Sequence, residues 1–141
     1  MRLNINLGFK EKLSLPIHYN NILQAVILNW IGDENYQKFI HDCGFKFEKR
    51  KYKLFTFSKI YGKFEINRER KTIDFFDNAH FTISSLENKF LNYLALNVIE
   101  KDNFKFGNNI VGVDSIESVH NKISEREEVY TKSPIVIYST F

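Results

Sequence analysis

The chain opens with a period of two: Leu3, Ile5, Leu7 and Phe9 alternate with Arg2, Asn4 and Asn6, which predicts a strand with one buried face. After the break at Pro16 the period changes. Ile22, Leu23, Val26, Ile27 and Trp30 recur at three- and four-residue spacing, so a core helix is predicted, with Asn20 or Asn21 as its N-cap. Gly32 interrupts this pattern and Asp33 is placed to cap a short second segment. The stripe Tyr36, Phe39, Ile40 then runs to His41, and Gly44 is the expected C-cap. His41 therefore falls at the carboxyl end of a helix, where the macrodipole favours the imidazolium form.

Two strands are predicted over residues 52 to 59 and 61 to 67, meeting at Tyr61-Gly62, with Phe64 and Ile66 on one face. Further strands follow at about 71 to 76 and from His80 to Ile83. Ser84 with Glu87 three residues on has the form of a capping box. Leu86, Phe90, Leu94 and Val98 behind it mark a second amphipathic helix. Strands return at 104 to 113 and 134 to 139, separated by a charged turn or loop around Glu125 to Glu128. The economical arrangement is β-α-β-β-α-β with one additional hairpin: a ferredoxin-like α+β two-layer sandwich, antiparallel sheet on one side and both helices on the other. One domain spanning 1–141 is expected, with no internal repeat, linker or low-complexity stretch.

Composition narrows the class. With 43% hydrophobic and 26% charged residues, the chain reads as an ordinary globular protein. No apolar run approaches the roughly 20 residues of a membrane helix, and the opening Met-Arg-Leu-Asn-Ile-Asn is not a signal peptide, so a cytoplasmic location away from membranes is expected. A single cysteine, Cys43, leaves no disulfide framework, and no Cys/His cluster has zinc spacing, so neither metal nor cofactor is expected. The net charge of +3 is uneven. Residues 38 to 71 hold eleven Lys/Arg against four Asp/Glu, leaving nine basic and thirteen acidic residues elsewhere. Such an asymmetry fits a phosphate-binding face, because cations that neutralise phosphates release counterions; a solvated basic hairpin is the plainer alternative.

The sequence 41–58, HDCGFKFEKRKYKLFTFS, sits inside this basic segment. Phe39-Ile40-His41-Asp42, Lys53-Leu54-Phe55-Thr56-Phe57-Ser58 and Lys132-Ser133-Pro134-Ile135-Val136 resemble, in this order, landmarks of the CRISPR-associated endoribonucleases of the RAMP superfamily that process precursor CRISPR RNA. Leu15-Pro16-Ile17-His18-Tyr19-Asn20 followed by Leu23-Gln24-Ala25-Val26-Ile27 is similar to the family's opening. The resemblance covers essentially the whole chain. It implies a ferredoxin-like fold and metal-independent cutting of CRISPR repeat RNA by its own 2′-hydroxyl, leaving a 2′,3′-cyclic phosphate and a 5′-hydroxyl. Other CRISPR-associated proteins and a second copy of the chain are the further partners considered.

That chemistry needs a base for the 2′-hydroxyl, a cation for the charged transition state and an acid for the leaving 5′-oxygen. By the resemblance, His41 takes the histidine role and Lys53 the lysine role. Lys46, Lys49, Arg50 and Lys51, in the loop between them, are candidates to contact the RNA backbone or to compete for the lysine role. The family often has a tyrosine where this chain has Leu28, and Tyr36 or Tyr52 are the substitutes considered. The family also carries a second ferredoxin-like domain, so the chain is expected to be the N-terminal half of a two-domain protein. Plainer roles stand beside these: a helix-terminal histidine, a lysine at a sheet edge, and core packing for Phe55 and Phe57. His18, His80, His120 and Cys43 are expected to be structural, superficial or incidental. The reading predicts that His41 and Lys53 meet at one solvent-accessible spot.

Overall fold

A computed structural model of the chain describes residues 1–120 and Tyr130. The elements are β1 (Arg2–Gly8), β2 (Lys12–Pro16), α1 (Asn20–Asn29), α2 (Glu34–Lys38), a π-turn over Phe39–Cys43, β3 (Phe45–Phe47), β4 (Arg50–Tyr52), β5 (Phe55–Phe57), β6 (Tyr61–Asn67), β7 (Thr72–Ser85), α3 (Asn88–Glu100), β8 (Phe104–Phe106) and β9 (Asn109–Val119). The expected α+β class with an antiparallel sheet is what forms. The strand expected at 134 to 139, the charged segment Glu125 to Glu128 and the Ser133-Pro134 landmark lie outside the described residues.

One long strand organises the sheet. β7 pairs antiparallel with β2 and β6 along its first half and with β1 and β5 along its second, while β1 pairs on its other side with β9. The two strands predicted at 71 to 76 and 80 to 83 are therefore a single fourteen-residue element. Asp77 and Asn78, which read as a break, are carried through within the strand, Asp77 at φ +63°. The predicted strand at 104 to 113 is instead a hairpin, β8 and β9, turning after Phe106. The short strand β2 was hidden by Pro16, which sits at its last position, where no further ladder bond is needed.

The period-two pattern of β1 does what it predicts. Leu3, Ile5 and Leu7 face Ile83, Phe81 and Ala79 of β7 and are nearly inaccessible. Against this face pack Leu23, Val26 and Ile27 of α1 and Phe90, Leu91, Leu94 and Val98 of α3. Burying each such side chain stabilises the fold by about 1.5–3 kcal/mol. Trp30, just past α1, stacks on Phe81 with centroids 6.0 Å apart, and Phe55 of β5 stacks on Phe90 at 4.7 Å. Phe55 and Phe57 thus serve the core. The opposite sheet face carries Arg2, Asn4 and Asn6, with Asn6 donating to Ser115 at 2.8 Å.

Two polar devices tie β2 into place. Asp74, buried on β7, accepts from the Ser14 hydroxyl at 2.5 Å and from Lys12 Nζ at 3.0 Å. Those hydrogen bonds, Ser14 first and Lys12 next, hold its carboxyl below the usual carboxylate range. Asn109, at the start of β9, accepts from the Ser14 N–H at 3.2 Å and donates to the Ser14 carbonyl at 2.7 Å and the Phe106 carbonyl at 3.0 Å. Its amide imitates a strand partner across the gap between β2 and the β8–β9 turn.

Helix ends differ in detail from the sequence expectations. Asp33 caps α2 as expected, accepting from the Tyr36 N–H at 2.8 Å. Helix α1 begins after Tyr19 with no side-chain cap, so neither Asn20 nor Asn21 serves. The capping box at Ser84 and Glu87 does not form: α3 begins after Glu87, and it is the Ser85 hydroxyl that accepts from the Glu87 N–H at 3.0 Å.

Candidate functional site

The basic segment folds outward as its own two-stranded ribbon, β3–β4, separate from the main sheet. Its register pairs Phe45 with Tyr52, Lys46 with Lys51 and Phe47 with Arg50. The ribbon consumes the residues between His41 and Lys53 and returns the chain to where it left. Gly44, just before β3, lies so close to Tyr52 that a Cβ at position 44 would come within 2.7 Å of the Tyr52 carbonyl oxygen. Positions 41 and 53 are thereby brought to the same end of the ribbon.

His41 lies in a π-turn closed by the Gly44 N–H donating to the Phe39 carbonyl at 2.6 Å. Turns of this kind recur at functional sites because the extra residue re-aims a side chain. Gly44 ends the helix as expected, but at φ +60°, ψ −171°, a region open essentially to glycine alone. The His41 side chain is 65% exposed, and its Nδ1 lies 2.6 Å from the Asp42 carboxylate. A carboxylate only accepts, so Asp42 keeps the proton on Nδ1 and leaves Nε2 as the nitrogen that can exchange one with a substrate.

Lys53 is exposed and lines a shallow groove of about 380 Å³ whose walls include Thr56, Ser84 and Leu86. His41 does not line that groove; the two residues share an end of the ribbon rather than a closed pocket. Lys53 is followed by Leu54 at φ +55°, a conformation that costs a non-glycine residue about 1–2 kcal/mol. The Leu54 carbonyl is held by the Ser85 hydroxyl, which donates to it at 2.7 Å while accepting from Glu87 at the start of α3. Strain persists only where the surroundings enforce it, and here the enforcing bond comes from the last residue of β7, just before α3.

Lys46, Lys49, Arg50 and Lys51 are all exposed. Among the described residues none of them forms an ion pair; Lys51 Nζ reaches only the Asp42 carbonyl, at 3.5 Å. Leu28, in the position where the resemblance implies a tyrosine, is buried in the core at 6% exposure. Of its considered substitutes, Tyr36 has a hydroxyl shut away from solvent without a partner among the described residues, and burial together with nearby Glu87 raises its pKa. Tyr52 is 41% exposed at the base of the ribbon. His18, His80, His120 and Cys43 are exposed, and His80 stacks on Tyr61 at 5.6 Å.

Sequence reasoning missed three parts of this region. Asp42 adjoins His41 in the chain, yet adjacency alone does not predict contact. Ser85 was passed over for Ser84. Lys89 of α3 lies over the rings of Tyr36 and Tyr93, at 5.0 and 5.6 Å, and its contact with Tyr36 joins elements far apart in sequence. Among the described residues there is no cluster of three or more metal-ligating side chains, and no helix is long and apolar enough to cross a membrane.

This fold, α+β with a curled antiparallel sheet and few helices, is similar to that of solved CRISPR-associated and RAMP structures. A structure described as "CRISPR associated protein Cas6" matches at 25% identity with a TM-score of 0.63, covering 89% of this chain and 50% of the other. "An RAMP protein binding different RNA substrates" matches at 25% identity and TM-score 0.68, covering 88% and 50%. A structure from Pyrococcus furiosus, described as Cas6-related, shares the fold at 23% identity and TM-score 0.68, covering 87% and 49%. The two matches at 25% identity support a CRISPR Cas6/RAMP-type family for the chain, and the third supports the fold. The chain spans about half the length of these structures. No family profile and no curated protein matches it.

Proposed function

We propose that the protein processes CRISPR RNA, cutting precursor RNA within its repeats without a metal. His41 Nε2 takes the proton of the 2′-hydroxyl; the 2′-oxygen attacks the adjacent phosphorus, and the bond to the 5′-oxygen breaks. The products are a 2′,3′-cyclic phosphate and a 5′-hydroxyl, the proton on the latter supplied by an acid such as the imidazolium or a water. The Lys53 ammonium offsets the negative charge that builds on the phosphate oxygens. The single observation that carries this reading is the ribbon register, which returns Lys53 to the end of the ribbon that His41 occupies, with both side chains in solvent. The neighbours named Cas6 and RAMP give the RNA its class.

The finer fold reading belongs with this proposal. The strand order β6–β7–β1–β9, with α1 between β1 and β6 and α3 between β7 and β9, supports a ferredoxin-like β-α-β-β-α-β domain to which the β3–β4 ribbon is the added hairpin. The half-length match supports a place as one unit of a two-unit architecture.

The test is incubation with a repeat RNA in EDTA. One cut bearing a cyclic phosphate is expected, and His41→Ala should abolish it; undiminished cutting by that variant removes His41 from the mechanism. A second reading is favoured by the burial of Leu28, which leaves the tyrosine role of the first helix unfilled. In that reading the protein is a non-catalytic RNA-binding or scaffold subunit, with other CRISPR-associated proteins or a second copy as partners. Salt-sensitive RNA binding without products, indifferent to position 41, is its signature.

A further inference from the structure

The register of the ribbon sorts its side chains onto two faces. Lys46 and Lys51 stand directly opposite each other on one face, and Phe45, Tyr52, Phe47 and Arg50 share the other. Packing accounts for Phe45 but neither for the lysine face nor for Phe47. Like charges set opposite each other destabilise a strand pair, and no carboxylate among the described residues offsets these two. Phe45 is anchored, its ring edge against Phe39 at 5.3 Å. Phe47, two residues further out, is 68% exposed beside Arg50. The ribbon thus holds out a rigidly based aromatic ring with a guanidinium beside it and an unbalanced lysine pair behind.

We propose that this ribbon grips single-stranded RNA next to the cleaved linkage: Phe47 stacks on an unpaired base while Lys46 and Lys51 hold the phosphates. The proposal rests on the RNA reading above and adds the strandedness of the substrate and the residue that reads it. Phosphates remove the repulsion between the two lysines. A projecting phenyl ring finds a π-face only on a base that is free of its helix, and the major groove of an A-form duplex is too deep and narrow to admit a ribbon. Because the ribbon is joined directly to the turn carrying His41 and to Lys53, a base held by Phe47 fixes which phosphate lies at its foot.

The experiment uses the 141-residue chain and a twelve-nucleotide mixed-sequence RNA carrying 2-aminopurine, single-stranded or annealed to its complement. Binding of the single strand should quench the 2-aminopurine. Phe47→Ala should weaken that binding about tenfold and remove the quench, while Phe47→Trp retains both. Lys46→Ala or Lys51→Ala should each lower the salt slope by about 0.7 and leave the quench. The duplex should bind more weakly and ignore Phe47→Ala. Because Phe47 is exposed, its replacement should not move the melting temperature, which checks the fold. Equal affinity and quench in wild type and Phe47→Ala, or equal dependence on Phe47 for the duplex, overturns the proposal. So does the absence of RNA binding, the outcome expected if an acidic protein surface is the true partner. The two readings fail separately: Phe47-dependent binding with no cutting of repeat RNA sinks the nuclease alone. Cutting abolished by His41→Ala but indifferent to Phe47 sinks the grip alone.

Discussion

Phe45 and Tyr52 face each other at the foot of the basic ribbon, and this one pairing decides how close the chain passes to itself at Gly44. The backbone there has a conformation reserved for glycine, and a methyl group would collide with the Tyr52 carbonyl. Gly44→Ala should therefore cost about 1–3 kcal/mol from the backbone conformation alone. The loss is local to the π-turn and ribbon. Thermal melts should show a modest drop, while any cleavage activity falls much further. Activity that tracks the melt alone would detach the ribbon from the site.

If Lys53 stabilises charge at the phosphate, removing its ammonium should slow cleavage about 10²–10³-fold, as for other single donors to a developing charge. Lys53→Ala would show this in single-turnover rates at saturating RNA. Lys53→Arg, which keeps the charge with a different shape, should recover part of the rate. A pure loss of affinity with an unchanged saturated rate would make Lys53 a binding residue.

Asp74 ties β2 to β7 through Ser14 and Lys12. Asp74→Ala should cost about 1.5–3 kcal/mol at neutral pH, because it strands those donors. Its folded pKa lies below the ordinary 3.8, so its contribution is complete well above that value and is lost as pH falls through the depressed one. Urea midpoints measured at pH 7 and pH 3 should show the gap between wild type and Asp74→Ala narrowing on acidification. A gap that widens would contradict the assignment.

Asn109 spans two elements that do not pair directly, and its amide meets both backbone groups of Ser14. Asn109→Ala should destabilise by about 1–3 kcal/mol. Asn109→Asp keeps the acceptor but loses both donated bonds, so it should fall close to the alanine variant. Amide exchange at Ser14 should accelerate in the alanine variant, which removes the acceptor of its N–H; unchanged protection there would show that the clamp carries no weight.

What could be read from the chain, and what could not, follows the range of the interactions. Leu3, Ile5 and Leu7 alternate, and Leu23, Val26 and Ile27 recur at helical spacing, because each pattern is imposed by one element meeting one core. Gly44 and Asp33 were legible for the same local reason. The continuity of β7 through Asp77 and Asn78 was not, since these two residues pair with no strand, opposite a bulge between Gly62 and Lys63, and only the ladders before and after them carry the strand through. The hydroxyl that matters, Ser85, was mistaken for its neighbour because its partner, Leu54, lies 31 positions away. For the candidate site, His41 and Lys53 were named from motif resemblance. Asp42 beside the ring and the strained Leu54 after Lys53 depend on dihedral angles, which residue types alone do not specify.

Strand β7 touches four other strands along its fourteen residues, and this makes the sheet an all-or-nothing object. Its partners come from positions 2 to 16 and 55 to 67, so the chain must close wide loops before any of that pairing is rewarded. Splitting the gene within β7 should yield two fragments that complement each other poorly. A cut at the ribbon tip, between Glu48 and Lys49, leaves every main-sheet ladder whole, and new termini placed there should be tolerated.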